Sequence, residues 1–219
     1  MNSSIIQLLV LAGIAVFLIL RLRSVLGTRE GFEKPRAEAP TSDAPMRRGF
    51  EVIEGGPDLD ITDHVEEGSP EAEALAEMKR AEPSFAVGEF LQGARGAYEM
   101  ILMSFERGDI DDIAAFLGED VHQTFVDVVG AREDQGLTIE ANFVGVRELT
   151  LVGAHFDPSS AVGEVTVRFV GELTSVVRDA AGEIIEGDAT EVKRQKDIWT
   201  FAREMGTDDP NWKLVATGE

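Results

Sequence analysis

The chain contains no cysteine. Disulfides, thiolate metal sites and cysteine nucleophiles are thereby excluded, and the absence fits a reducing compartment. Bases are scarce: 20 Lys and Arg stand against 41 Asp and Glu, a net charge of −21. A surface of that sign repels phosphate backbones, which excludes a general nucleic-acid role and broad adhesion to anionic lipid outside a local basic patch. Histidine is limited to His64, His122 and His155. No glycine-rich phosphate loop and no nucleophile-elbow serine occurs. Long apolar runs are equally rare, and there is one.

That run is Ile5 to Leu20, where Gln7 is the only polar side chain. A helix of this length covers about 24 Å, and it reaches the roughly 30 Å of a hydrocarbon core if Met1–Ser4 and Leu22 join it while Arg21 and Arg23 snorkel outward. A secretion signal carries its positive charge ahead of the apolar run, whereas here "MNSS" is uncharged and the bases follow. A buried core helix would show a polar face. Residues 1–26 are therefore expected to be a permanent transmembrane anchor. The bases Arg21, Arg23, Arg29, Lys34 and Arg36 all follow the span. By the positive-inside rule the N-terminus lies outside and the remaining chain lies in the cytoplasm, single-pass in the inner (cytoplasmic) membrane.

Residues 27–83 mix Pro, Gly and charge, with fifteen acids against seven bases. Such a stretch buries too little apolar surface to offset its ordering entropy, so a disordered acidic linker is expected. Two islands interrupt it. "MRRGFEVIEGG", residues 46–56, sets Phe50, Val52 and Ile53 beside Arg47 and Arg48; a partner-gripping patch and a chance apolar cluster are both open readings. "SPEAEALAEMKRAE" has Ser69 as N-cap, Pro70 in the first turn and late Lys79 and Arg80, and predicts a short helix near 70–82 that stops before Pro83.

Folded structure is expected over 84–219. Phe90, Ala94, Ala97, Ile101 and Phe105 recur at three or four residues and make a helical stripe that Gly108 ends. Asp109 is placed as the cap of a second helix burying Ile113, Phe116 and Leu117. A third runs from Glu119 with Val121, Phe125, Val128 and Val129 inward, ending near Gly136. The period then changes to two. Val165, Val167, Phe169, Leu173 and Val177 share one strand face, Asp179–Gly182 forms a hairpin turn, Trp199 and Phe201 lie on one side of a long return strand, and Trp212, Leu214 and Ala216 face inward on a last one. Three helices followed by four antiparallel strands is an α+β pattern, with the helices packed into a curved sheet to give a cone with an apolar interior.

The pattern "F…GA..AYEMI…F..GD", then "V.VRF", "RD..G.I.EGD" and "D.WTFAR……P.W.LVAT", resembles the Tim44-like domain over roughly Phe85 to Thr217. Trp199–Arg203 and Trp212–Thr217 carry most of the likeness. That family includes the chaperone-docking subunit of the mitochondrial inner-membrane translocase and membrane-anchored bacterial TimA-type proteins. The resemblance implies a nuclear-transport-factor-two-like, cystatin-like roll with a large apolar pocket, peripheral membrane contact and an adaptor role near protein-translocation machinery. This chain lacks the mitochondrial member's long basic N-terminal segment and carries an apolar run instead.

The core or pocket candidates are Phe90, Tyr98, Phe105, Phe125, Val167, Phe169, Trp199, Phe201 and Trp212. Tyr98 is expected in the core with its hydroxyl bonded at the rim, and Trp199 and Trp212 are expected to pack together across strands. Lys193, Arg194 and Lys196 form the one dense basic patch in a domain of 26 acids and 11 bases; steering toward anionic headgroups or an acidic partner, and balancing local acids, both remain open. His155 with Asp157 is the best acid–base dyad, but the pair flanks a turn where both residue types are ordinary. "GDIDDI" lacks the Gly and the bidentate Glu of a calcium loop. No metal, cofactor or catalytic residue is assigned. The reading is a membrane-anchored, non-catalytic adaptor for inner-membrane protein translocation or assembly, with membrane lipid and a chaperone, translocase or complex-assembly protein as partners. The alternatives are a small-molecule enzyme or carrier of the same roll and an envelope protein that oligomerises through the sheet's outer face. Protease added to intact spheroplasts is expected to leave the acidic domain undigested, and the mature chain to retain its first 26 residues on N-terminal sequencing; shaving from outside overturns the topology.

Overall fold

The computed structural model describes residues 58–218. The expected anchor at 1–26 with Arg21 and Arg23, the linker up to residue 57, and the 46–56 cluster lie outside the described residues. Among the described residues no helix is long and apolar enough to cross a membrane.

Among the described residues four α-helices and a 3-10 helix precede four strands. They are α1 (Leu59–Thr62), α2 (Pro70–Ala81), α3 (Val87–Arg107), the 3-10 helix Asp111–Phe116 and α4 (Glu119–Asp134). The strands β1 (Thr138–Asp157), β2 (Val162–Arg178), β3 (Ile184–Glu204) and β4 (Lys213–Gly218) form an open antiparallel sheet in chain order. The expected α+β arrangement is thus present, as a sheet that curls without closing.

The folded body starts earlier than Ser84. Instead of a linker, residues 58–83 supply two helices to the core. Ser69 caps α2 by accepting a hydrogen bond from the Ala72 N–H at 3.1 Å, and Leu75 and Met78 are fully buried. The acid count of this stretch concealed a short apolar stripe of Ala72, Leu75 and Met78. Asp60 does more. Ala86 gives α3 no side-chain cap, and the Asp60 carboxylate takes its place, accepting from the N–H groups of Val87 at 2.7 Å and Gly88 at 2.9 Å. Lys79 braces that carboxylate at 2.7 Å. An anion at a helix N-terminus satisfies free donors and complements the macrodipole.

α3 is the central helix. It ends at Gly108, whose φ of 85° is the left-handed conformation, with the Asp109 N–H donating to Ser104 at 2.9 Å. Such an end suits glycine. Asp109 does not cap a second helix. It pairs with Arg107 at 3.0 Å, and the chain takes a single stretch of 3-10 helix that buries Ile113. On α4 the inward stripe is Val121, Phe125 and Val129, spaced by four; Val128 sits on the flank, 38% exposed, and does not face inward as expected.

Irregular register bends the sheet and shifts several expected faces. Three one-residue bulges on β1 leave Val144, Arg147 and Val152 unpaired, and each adds bend and twist. On β2, Val165, Val167, Phe169 and Leu173 are buried, but a register break after Leu173 changes the phase, so Val176 is buried and Val177 only half-buried. Between β3 and β4, Thr200 pairs with Ala216 and Phe201 with Leu214. The extra residue, Val215, turns Ala216 outward and keeps Leu214 in. The Asp179–Gly182 hairpin forms as expected, with the Gly182 N–H donating to Asp179 at 2.9 Å.

Because Leu75 sits in the common core, Leu75→Ala is expected to cost about 2–5 kcal/mol in denaturant melts of the full chain. A helix in a mere linker would show no change.

Candidate functional site

The interior of the curl is filled. Tyr98 of α3 lies flat on Phe169 of β2, rings 4.4 Å apart and 8° from parallel, with Trp199 of β3 at 4.8 Å. Its hydroxyl donates to Asp197 at 2.5 Å, and the other oxygen of that carboxylate accepts from the Gln195 amide at 3.1 Å. Burial first, then the Asp197 carboxylate, push the Tyr98 pKa upward, so it stays protonated. Gly171 makes the stacking possible, since a β-carbon there would stand 2.6 Å from the Tyr98 hydroxyl. The expected open cone is therefore closed by side chains: Tyr98, Val167, Phe169 and Trp199 are core.

What remains open is a groove of about 350 Å³ at the N-terminal end of α3. Phe85, Phe90, Gly93 and Ala97 line it from the α3 side and Phe116, Phe201, Arg203 and Trp212 from the other, with Ser84, Glu89 and Asn211 as its further polar side chains. The wall is aromatic and continuous with the core. Trp199 touches Phe201 at 6.2 Å, Phe201 touches Phe90 at 6.0 Å, Phe90 touches Trp212 at 4.7 Å, and Phe85 touches Trp212 at 5.8 Å. Trp212 does not pack on Trp199; the strand register sets Trp199 opposite Thr217 and leaves Trp212 before β4 begins. Phe105 and Phe125 lie elsewhere. They pair with each other at 4.4 Å at the far end of α3, where the Arg132 guanidinium stands 4.3 Å over Phe105. Fifteen helical residues separate Phe90 from Phe105, about 22 Å.

The one base on the groove wall is Arg203, which the residue pattern had marked only as part of "WTFAR". Its guanidinium lies 5.2 Å from the Trp212 ring and binds Glu82 at 2.7 Å, both side chains being mostly buried. Glu82 also accepts from the Gly206 N–H at 3.0 Å. Burial alone would raise the Glu82 pKa, but the Arg203 and Gly206 hydrogen bonds outweigh it and hold the carboxyl below its ordinary value. Lys193, Arg194 and Lys196 line no part of the groove. They are exposed on β3, where Arg194 holds Glu172 of β2 at 3.0 Å. His155 is exposed, and Asp157 accepts from the Ser160 hydroxyl and from the Ser159 hydroxyl and N–H, which lower its pKa to about 2. That is turn chemistry and no dyad. Asp109, Asp111, Asp112 and Glu133 rim a second crevice of about 430 Å³, yet no group of side chains suited to a metal exists among the described residues.

Residues 71–219 match the family model of the Tim44-like domain. The chain belongs to the Tim44-like domain family. Among curated relatives, the mitochondrial import inner membrane translocase subunit TIM44 of Homo sapiens is 23% identical over 147 residues, which are 66% of this chain and 32% of that one. The Rattus norvegicus subunit is 22% identical over the same span. The chain thus spans about a third of the length of the relatives it matches. Among solved structures, the intermembrane space region of chloroplast protein ARC6 is similar with a TM-score of 0.38 and 11% identity, over 57% of this chain and 94% of that one.

Glu82 is stabilising while ionised. Its lowered pKa means that this contribution is complete above about pH 4.5, the ordinary glutamate value, and is lost as pH falls through the folded-state value. Stability measured between pH 3 and 7 is expected to fall less steeply on the acid side in Glu82→Gln than in the wild type; equal slopes overturn the assignment.

Proposed function

We propose that the chain is a membrane-anchored, non-catalytic adaptor for protein translocation or membrane-complex assembly at the inner membrane, and that the groove beside α3 is where it receives a lipid chain or a protein partner. The groove carries this reading. It is an aromatic-walled depression whose one base, Arg203, is paired with Glu82, and whose other charged lining residue is the carboxylate Glu89, so it offers aromatic contact beside a single acid and no acid–base pair of its own. That the relatives are import translocase subunits supports the translocation setting. In this reading the first 26 residues hold the domain on the cytoplasmic side as a single-pass protein, and the fold is a nuclear-transport-factor-two-like, cystatin-like roll. Tethering raises the local concentration of the groove near membrane clients, so weak contacts suffice. Lys193, Arg194 and Lys196 act apart from the groove, toward anionic headgroups or an acidic partner. The enzyme reading rests on His155 with Asp157, and that candidate dyad is taken up by a serine turn.

Gly93 offers a selective test. A β-carbon there meets nothing within 4 Å, and the residue lies on the groove wall. Gly93→Leu is expected to fill the groove while leaving the melting temperature unchanged or raised, since glycine is unfavourable in a helix by about 1 kcal/mol. Crosslinking pulldown from native membranes should then lose the translocase, chaperone or lipid species captured by the wild type. Unaltered capture overturns the groove as the binding site.

A further inference from the structure

β3 is far longer than the strand beside it. It runs from Ile184 to Glu204, but β4 covers only Ile198–Ala202. From Ile184 to Asp197 its outer edge carries no strand among the described residues. Residues 184–194 are all exposed, including Ile184 at 50%, Ile185 at 56% and Val192 at 49%. A bare edge with exposed aliphatic side chains is a template for strand pairing.

Charge along this edge is sorted. Glu183, Glu186, Asp188 and Glu191 come first, then Lys193, Arg194 and Lys196. The ladder with β2 is interrupted between the two groups: Leu173 faces Lys193 while Ser175 faces Asp188, so Ala189–Val192 is looped out. Asp188 fixes this excursion by accepting from the Thr190 N–H and hydroxyl, both at 2.7 Å. The edge is thereby divided into an acidic half, Ile184–Asp188, and a basic half, Lys193–Asp197.

We propose that two copies of this chain pair along the β3 edge, antiparallel about a two-fold axis passing through the excursion. An isologous contact sets each half against the other half of its mate. Acid then meets base twice, with Asp188 of each copy opposite Lys193 of the other. A guard of uniform sign would repel every copy, whereas sorted charge repels the parallel arrangement and favours the antiparallel one. This pairing is independent of what the groove binds.

The test uses the full chain in detergent. Sedimentation equilibrium is expected to show a monomer–dimer equilibrium that weakens with salt. Lys193→Glu with Lys196→Glu should raise the dissociation constant by about tenfold or more, and adding Glu183→Lys with Glu186→Lys should restore it, because the two halves are again of opposite charge while the Asp188–Thr190 bonds that shape the excursion are kept. The natural chain has no cysteine, so a second readout is clean: Ile185→Cys chains mixed with Lys196→Cys chains should form a disulfide-linked pair on mild oxidation. A chain monomeric at all concentrations, or a fourfold charge swap that fails to restore pairing, overturns the proposal. The Gly93→Leu variant should dimerise as the wild type does.

Discussion

Tyr98 lying against Phe169 sets the spacing between the central helix and the sheet, and the rest of the architecture adjusts to that contact. A tyrosine ring at stacking distance leaves no room for a side chain at position 171 and brings the hydroxyl to Asp197. The buried carboxylate is tolerable because two donors meet it. With the helix pinned at its middle, its two ends reach different neighbours. Phe90 at one end meets Phe201 and Trp212; Phe105 at the other meets Phe125 of α4. The groove is thus the remainder of a packing problem solved at the centre.

The polar boundary of the groove follows the same economy. Arg203 and Glu82 come from elements 121 positions apart in the chain and pair through one guanidinium nitrogen where neither has much water, while the Arg203 Nε is left buried without a partner. Breaking such a pair leaves an uncompensated charge, which makes it a device of position more than of attraction. It holds the approach to β4 against the end of α2, and Trp212 rests on its guanidinium plane. The groove therefore presents aromatic area flanked by a paired arginine and the Glu89 carboxylate, apart from the exposed bases of β3.

Periodicity made much of the fold legible, and the limits of that legibility are physical. The stripe of Phe90, Ala94, Ile101 and Phe105, the alternation through Val165, Val167 and Phe169, and the Asp179–Gly182 turn each declare themselves within a dozen residues. Val177, Ala216 and Val128 were misplaced because one inserted residue, or a shift of one position around a helix, changes the face without changing the composition. The helix at Pro70–Ala81 was visible from its cap, but its membership of the core was not, since Leu75 and Met78 meet β-strand partners distant in sequence. The groove was half legible. Phe90, Phe201 and Trp212 stood out as aromatics, while Arg203 and Glu82 act through a contact 121 positions apart that no local pattern carries.

The bulges at Val144, Arg147 and Val152 have an effect beyond bending β1. Together with the Arg95 side chain, which donates to the Val146 carbonyl at 3.0 Å, they break up the backbone rhythm that a neighbouring strand would need. The β1 margin is thereby a poor template for a further strand. A sheet with two receptive margins can propagate into a fibre, whereas one with a single receptive margin reaches its terminus as soon as that margin is occupied.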